Sequence, residues 1–271
     1  MPKVVRFLKL TSLLFLSFAL FLVSLFFYLS LSEEKPAFNT AEAEKISFSP
    51  LERIVPGDRI PAGLKIFRSN NNLDLVRYKG RYYLAFRTAP THFASSKTII
   101  YVLSSTDYKK WEYETEYNLN SDLREPRFLI FKNRLFLYFF QGGSNPLSFA
   151  PEHIFATERI SKSNWEKPKP IYKPGFVVWR AKEYNGRAYM SVYYGVGLYS
   201  NEKQPGHLQL LVSDDGYNYE LINNREVSNE ASTEEGEFEF DENGNLYATV
   251  RLEMKGGKVC AALKDDITEW R

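Results

Sequence analysis

Carboxylates, guanidiniums and amides gather in four short runs of this 271-residue chain. The first holds Arg68, Asn70-Asn71-Asn72 and Asp74, and the second is Arg124-Glu125-Pro126-Arg127. The third is Trp179-Arg180 followed by Lys182-Glu183, and the fourth is Glu234-Glu235 with Glu237. Two carboxyl groups can give and take a proton across a bond that is being broken, and a planar guanidinium can grip an oxyanion through two parallel hydrogen bonds. Apolar and aromatic segments follow every run, so charge at one recurring place fits a ligand better than packing. A structural reading stands beside the chemical one. Glu125 and Glu235 can be buried partners of Arg127 and Arg251, Arg68 and Arg87 can bridge neighbouring repeats, and His92 can be a loop residue. No Cys/His cluster, phosphate-cradling glycine loop or Ser-His-Asp arrangement occurs, so neither a metal nor a cofactor is expected.

The elements that position these runs are repeats. A turn followed by an aromatic-rich strand is written GRYYLAF at Gly80, NRLFLYF at Asn133, GRAYMSV at Gly186 and GNLYATV at Gly244, with spacings of 53, 53 and 58 residues. A second marker, Ser or Asp followed four residues later by a large aromatic, pairs Asp107 with Trp111, Ser161 with Trp165, Asp215 with Tyr219 and Asp266 with Trp270. Two independent markers in phase define a repeat. Each repeat resolves into four short strands; in the first they are LDLVRYK, RYYLAFR, KTIIYVLSS and WEYETEY. The expected fold is all-β, a β-propeller of four-stranded antiparallel blades. An aspartate at the turn between third and fourth strands can accept backbone N–H bonds, and the aromatic after it can wedge between blades. Repeats begin near Asn72, Glu125, Val178 and Glu235, which makes four blades, and the last stops at Arg271 before its outermost strand. The expectation is a piece of a five- or six-bladed propeller; the alternative is a closed four-bladed ring in which residues 46–66 supply the missing strand.

Residues 1–9 carry Lys3, Arg6 and Lys9, and residues 10–32 are 23 uncharged positions. As a helix the latter would extend about 35 Å, enough to cross a bilayer. Long for a cleavable signal and without a small-residue cleavage site, they read as one transmembrane signal anchor. Cations before the span send the remainder to the extracytoplasmic side, periplasmic or extracellular. Residues 33–50, polar and containing Pro36 and Pro50, read as a linker, and residues 51–271 as the propeller domain. With 44% hydrophobic residues the chain has material for one substantial core. Thirty-five basic against 33 acidic side chains leave a net charge of +2, which excludes the charge footprint of a nucleic-acid binder.

The segments Ser105-Thr106-Asp107 to Trp111 and Ser213-Asp214-Asp215 to Tyr219 resemble shortened Asp-boxes of sialidases, and also the turns of five-bladed furanosidases and β-mannoside phosphorylases. The resemblance covers residues 67–271 and implies a propeller acting on glycans. In five-bladed glycosidases the second blade opens with Arg-Asp-Pro, whose carboxylate helps stabilise the transition state; Arg124-Glu125-Pro126 is similar, with Glu for Asp. Where those families carry a catalytic Asp in the first blade, this chain has Asn70 to Asn72, with Asp74 displaced inward. In the third blade Glu183 is the candidate acid, and Arg180 occupies the more natural position. Phe67-Arg68 resembles the start of the first sialidase blade, whose arginine clamps the substrate carboxylate. Glu235, Gly244 and Arg251 reproduce the sialidase offsets of a Glu nine residues before a turn glycine and an Arg seven after it. The sialidase acid/base Asp is replaced by Thr91-His92-Phe93, and the third arginine and the tyrosine would lie beyond Arg271. The resemblance implies Glu125, Glu235 and Asp74 as catalytic candidates, with Arg68, Asn72, Arg124, Arg180 and Arg251 contacting an anionic or hydroxyl-rich sugar. The expected function is a membrane-anchored glycoside hydrolase. The alternative is a non-catalytic carbohydrate-binding or surface-assembly propeller.

Overall fold

The computed structural model describes residues 17–25, 49–195, 198, 205–253, 256–262 and 270. The chain divides into two units, Met1–Leu51 and Glu52–Arg271. All described strands belong to the second, as four antiparallel sheets. The first sheet is β1 (Ser69–Tyr78), β2 (Arg81–Ala89), β3 (Ile99–Ser105) and β4 (Glu112–Tyr117). The second is β5 (Asp122–Phe131), β6 (Arg134–Gly142) and β7 (Pro151–Ser161), with the short β8 (Asn164–Trp165) and β9 (Lys169–Ile171) both on β7. The third is β10 (Val177–Tyr184), β11 (Arg187–Gly195), β12 (Gly206–Ser213) and β13 (Glu220–Leu221). The fourth is β14 (Thr233–Phe240), β15 (Leu246–Leu252) and β16 (Gly256–Ala262).

The repeat markers explain this order locally. Lys79-Gly80, Lys132-Asn133 and Asn185-Gly186 hold left-handed φ at both positions, the two-residue turn that matches strand twist. Each therefore folds an innermost strand back on the next. The middle strands β2 and β3 are covered on one face by the second sheet and on the other by residues 54–67, so they are buried almost without alternation. The Asp marker is structural: Asp107 Oδ1 accepts the Lys109 and Lys110 N–H groups at 2.8 and 3.1 Å, and Asp215 Oδ1 accepts those of Tyr217 and Asn218 at 2.8 and 2.7 Å. Burial opposes ionisation of Asp215, but the Asn218 and Tyr217 N–H groups, the Asn218 amide and the Ser213 hydroxyl bring its carboxyl down to about 2. A depressed carboxyl stabilises the fold above its ordinary value and loses that contribution as pH falls through the folded one. Asp215→Ala should cost about 1–2 kcal/mol, discounted for solvent screening, in urea unfolding at pH 7, and less below pH 3.

Two of the aromatics wedge between sheets. Trp165 reaches Glu114 of the first sheet, Nε1 to Oε2 3.4 Å, and Tyr219 donates its hydroxyl to that of Tyr138 in the second at 3.0 Å. Asp266, expected to open the fourth such turn, lies outside the described residues. Sheets follow one another around a common inner edge, β1 packing on β5, β5 on β10 and β10 on β14. This is a propeller-like arrangement, and no closed sheet occurs among the described residues.

Two readings are corrected, the first of them the alternative of a closing strand before β1. Residues 49–66 form no strand and so do not complete the fourth sheet. Instead Ile54, Val55, Ile60, Leu64, Ile66 and Phe67 cover the face of the first sheet formed by Leu84, Phe86, Tyr101, Leu103 and Trp111. Second, the sheets are not uniformly four-stranded. Pro168 and Pro170 lack the N–H that a continuous outer strand needs, and the second sheet's edge is broken into β8 and β9. The fourth sheet shows three strands among the described residues. Of the expected span 10–32 only residues 17–25 are described; they are helical, with Phe18, Leu20 and Phe21 exposed, and the remainder lies outside the described residues. Among the described residues no helix is long and apolar enough to cross a membrane.

Candidate functional site

Every innermost strand is bulged at the same level. Pairing slips between Asn71 and Leu73 in β1, Arg124 and Arg127 in β5, Val178 and Arg180 in β10, and Thr233 and Gly236 in β14. A bulge leaves its extra residue outside the ladder and re-aims the side chain. The residues so released include Asn72, Glu125, Trp179 and Glu235, and all four line one cavity of 680 Å³. Asn72 and Glu125 sit at φ 44° and 51°, and Pro126 has no N–H with which to resume pairing. A left-handed glutamate costs about 1 kcal/mol or more, strain of the kind stored at functional sites. The cavity walls come from the β2–β3 loop (His92, Phe93, Ala94), the β6–β7 loop (Pro146 to Phe149), Phe140 and Tyr193 of the second strands, and Arg124 and Arg251.

Glu125 is buried, Oε2 accepting from Arg127 NH2 at 2.5 Å and Oε1 from the Asn72 amide. Burial pushes its carboxyl up; Arg127 opposes this and the nearby Glu235 adds to it. Arg127 is fixed by three inner strands: it pairs with Glu125, donates to the Leu73 carbonyl at 3.1 Å and to the Trp179 carbonyl, and lies 5.0 Å from the Trp179 ring centre. Behind the loops, Asp122 accepts from Arg87 NH2 and the Thr98 hydroxyl, each at 2.8 Å, and from Arg124 Nε. Arg124 also donates to the His92 carbonyl at 2.9 Å, and Arg87 to that of Phe93 at 3.1 Å, so this buried cluster holds the loop in place. His92 is pushed down by burial and by Arg124 and Arg87, which suits the neutral ring that accepts from the Asn71 amide at 2.8 Å. On the far wall Arg251 NH1 lies 2.9 Å from Glu235 Oε2, with Glu253 bound to its other arm and Glu234 at 3.8 Å.

The structure brings together Asn72, Arg124, Glu125, Glu235 and Arg251 of the sequence-derived residues. It leaves out three. Arg68 is exposed and absent from the cavity wall. Asp74 and Arg180 meet each other at 3.6 Å further along the inner strands, where Asp74 accepts the Phe128 N–H at 2.8 Å and Arg180 pairs with Glu237 at 2.6 Å. Burial raises the Asp74 carboxyl against the pull of that N–H and of Arg127 and Arg180. Both paired readings of Glu125 and Glu235 hold, with Arg127 and Arg251, and both carboxylates still line the cavity. Sequence reasoning named Trp179 and Phe93 but gave neither a role, and it missed Leu147, Phe149 and Tyr193. The 53-residue period that links Asn72 and Glu125 points next to Val178, one residue short of Trp179. The loop residues carry no repeat and gave no signal. Among the described residues no group of three or more His, Cys, Asp or Glu is arranged to hold a metal ion. Two carboxyl groups in different surroundings, aromatic walls and a half-enclosed space are the means for acid–base work on a hydroxyl-rich ligand.

No protein-family model matches the chain, and no curated protein matches it in sequence. Solved structures do match in shape. A protein of unknown function from Dyadobacter fermentans DSM 18053 superposes with TM-score 0.62 at 16% identity, over 76% of this chain and 70% of that one. A family 117 glycoside hydrolase produced by the marine bacterium Zobellia galactanivorans gives 0.53 at 15% identity, over 74% and 68%. The Trypanosoma rangeli sialidase in complex with the inhibitor DANA gives 0.59 at 14% identity over 76% of this chain, which spans 38% of the sialidase. At these identities the likeness is one of fold, and the fold to which this chain is similar is that of β-propeller glycosidases.

Proposed function

We propose that the cavity at the bulged ends of the inner strands is a glycan site and that the protein hydrolyses a glycosidic bond there. The observation that carries this reading is the convergence of four bulges, from stretches more than fifty residues apart, on one cavity holding two carboxylates. Packing alone does not require a strained glutamate at that level. The propeller glycosidase fold supports a glycan as the ligand. Glu125, whose proton burial retains, serves as the acid toward the departing sugar oxygen, and Glu235, held by Arg251, serves on the opposite side as base or nucleophile. Screening aryl glycosides of sialic acid, arabinofuranose, fructofuranose and mannose tests it: release from at least one is expected, and release from none together with glycan binding favours the second reading. That reading is a non-catalytic carbohydrate-binding propeller, favoured by the pairing of both carboxylates with arginines.

The anchor belongs to the same proposal. The uncharged stretch 10–32 and the apolar surface of its described helical part support attachment by the amino terminus, with residues 51–271 on the extracytoplasmic side. Amino-terminal sequencing of protein recovered from membranes should begin near Met1. A start close to Glu33 would overturn the anchor.

A further inference from the structure

We infer that the cavity accepts an uncharged glycan and discriminates against a carboxylated one, an inference that rests on the glycan reading above. Recognition of an acidic sugar needs a guanidinium whose donors are available to the incoming carboxylate. Each arginine of the cavity wall already holds a carboxylate of the protein. Arg124 is bound to Asp122 and to the His92 carbonyl, and Arg251 is shared among Glu235, Glu253 and Glu234. Arg127, behind the wall, is held by Glu125 and by two backbone carbonyls. A carboxylate entering here would have to displace one of these partners, and it would approach Glu235, which repels it.

What the cavity does offer suits sugar hydroxyls and ring C–H faces. An ionised carboxylate accepts only, so a sugar hydroxyl matches Glu235 where a second carboxylate does not. Phe93 and Leu147 are 63% and 94% exposed at the edge of the cavity, with Phe149 and Trp179 in its wall. That is a stacking surface for an uncharged ring.

The test is calorimetry and saturation-transfer NMR on the full chain. Its probes are neutral tri- and tetrasaccharides of gluco, manno, galacto and arabino configuration, set against uronate and sialylated counterparts of equal length. At least one neutral probe should bind about tenfold or more tighter than its acidic counterpart, equivalent to about 1.4 kcal/mol. Phe93→Ala, at an exposed position that leaves folding intact, should weaken that binding about fivefold or more, and Glu253→Gln, which loosens Arg251, should narrow the gap by improving the acidic probe. An acidic probe that binds as tightly as its neutral counterpart and is lost in Phe93→Ala overturns this inference and leaves the glycan site standing. Binding of no probe at all, or binding indifferent to Phe93→Ala, overturns the glycan reading and the inference with it.

Discussion

Glu125→Gln should lower turnover at least about a hundredfold, the scale for removing a positioned acid, while the protein still folds. The side chain is aimed by a left-handed backbone and a bulge, and it is the most buried carboxyl of the cavity wall. Glutamine keeps its shape and can still accept from Arg127, which retains the Leu73 and Trp179 carbonyls, so the loss of stability should stay under about 2 kcal/mol. The pH profile separates chemistry from structure. Burial raises the folded value of Glu125, so it holds its proton beyond the ordinary carboxyl range, and kcat/KM should fall as pH rises through that value. The stability contribution has the same sense: it is complete below the unfolded value and is lost as pH rises through the raised folded one. Glutamine should abolish both. If the protein only binds glycans, the same change weakens binding and there is no turnover to lose.

Arg87→Ala should be the most damaging single change to stability, at about 3–5 kcal/mol in urea unfolding. Arg87 is 0% exposed, and its partner Asp122 is nearly as deep. Burial lowers the Arg87 value while Asp122 raises it, which is the balance of a buried pair whose removal strands the other charge. The pair crosses from β2 to β5 and also secures the Phe93 carbonyl, so cavity loop and sheet interface should loosen together. Arg68→Ala, at an exposed site, should change stability by about 0.5 kcal/mol or less. Equal losses at both positions would show that the Arg87 cluster does not join the sheets.

The repeat was legible because hairpin turns and aspartate turns are short, local and recur in phase; the structure places an inner strand wherever the markers demanded one. The site was legible only to the level of the strand. At the third repeat the sequence reading makes Arg180 a sugar contact and gives Trp179 no role, and a shift of one residue in a strand turns the side chain to the other face. Arg180 therefore pairs with Asp74 and Glu237 along the inner strands, and Trp179 enters the cavity. Bulges caused this, since one extra residue per inner strand breaks the alternation by which faces are assigned from sequence. The segment before β1, the alternative source of a closing strand, fails for a different reason. Ile54, Ile60, Leu64 and Ile66 suggest strand material, yet the face they cover needs apolar contact rather than a ladder, and they supply it without pairing.

The central claim is that Asn72, Glu125, Trp179 and Glu235 surround the glycan. A crystal structure of Glu125→Gln soaked with an oligosaccharide that the wild-type protein binds tests this most directly. The expected result is a sugar ring in the cavity, with hydroxyl or glycosidic oxygens about 3 Å from residues 125 and 235 and a ring face against Trp179, Phe149 or Phe93. A second cavity, 540 Å³ and lined by Lys169, Tyr172, Tyr217 and Tyr219 with no carboxylate, lies beside the outer strands. Sugar found there, with the bulged residues untouched, would contradict the account.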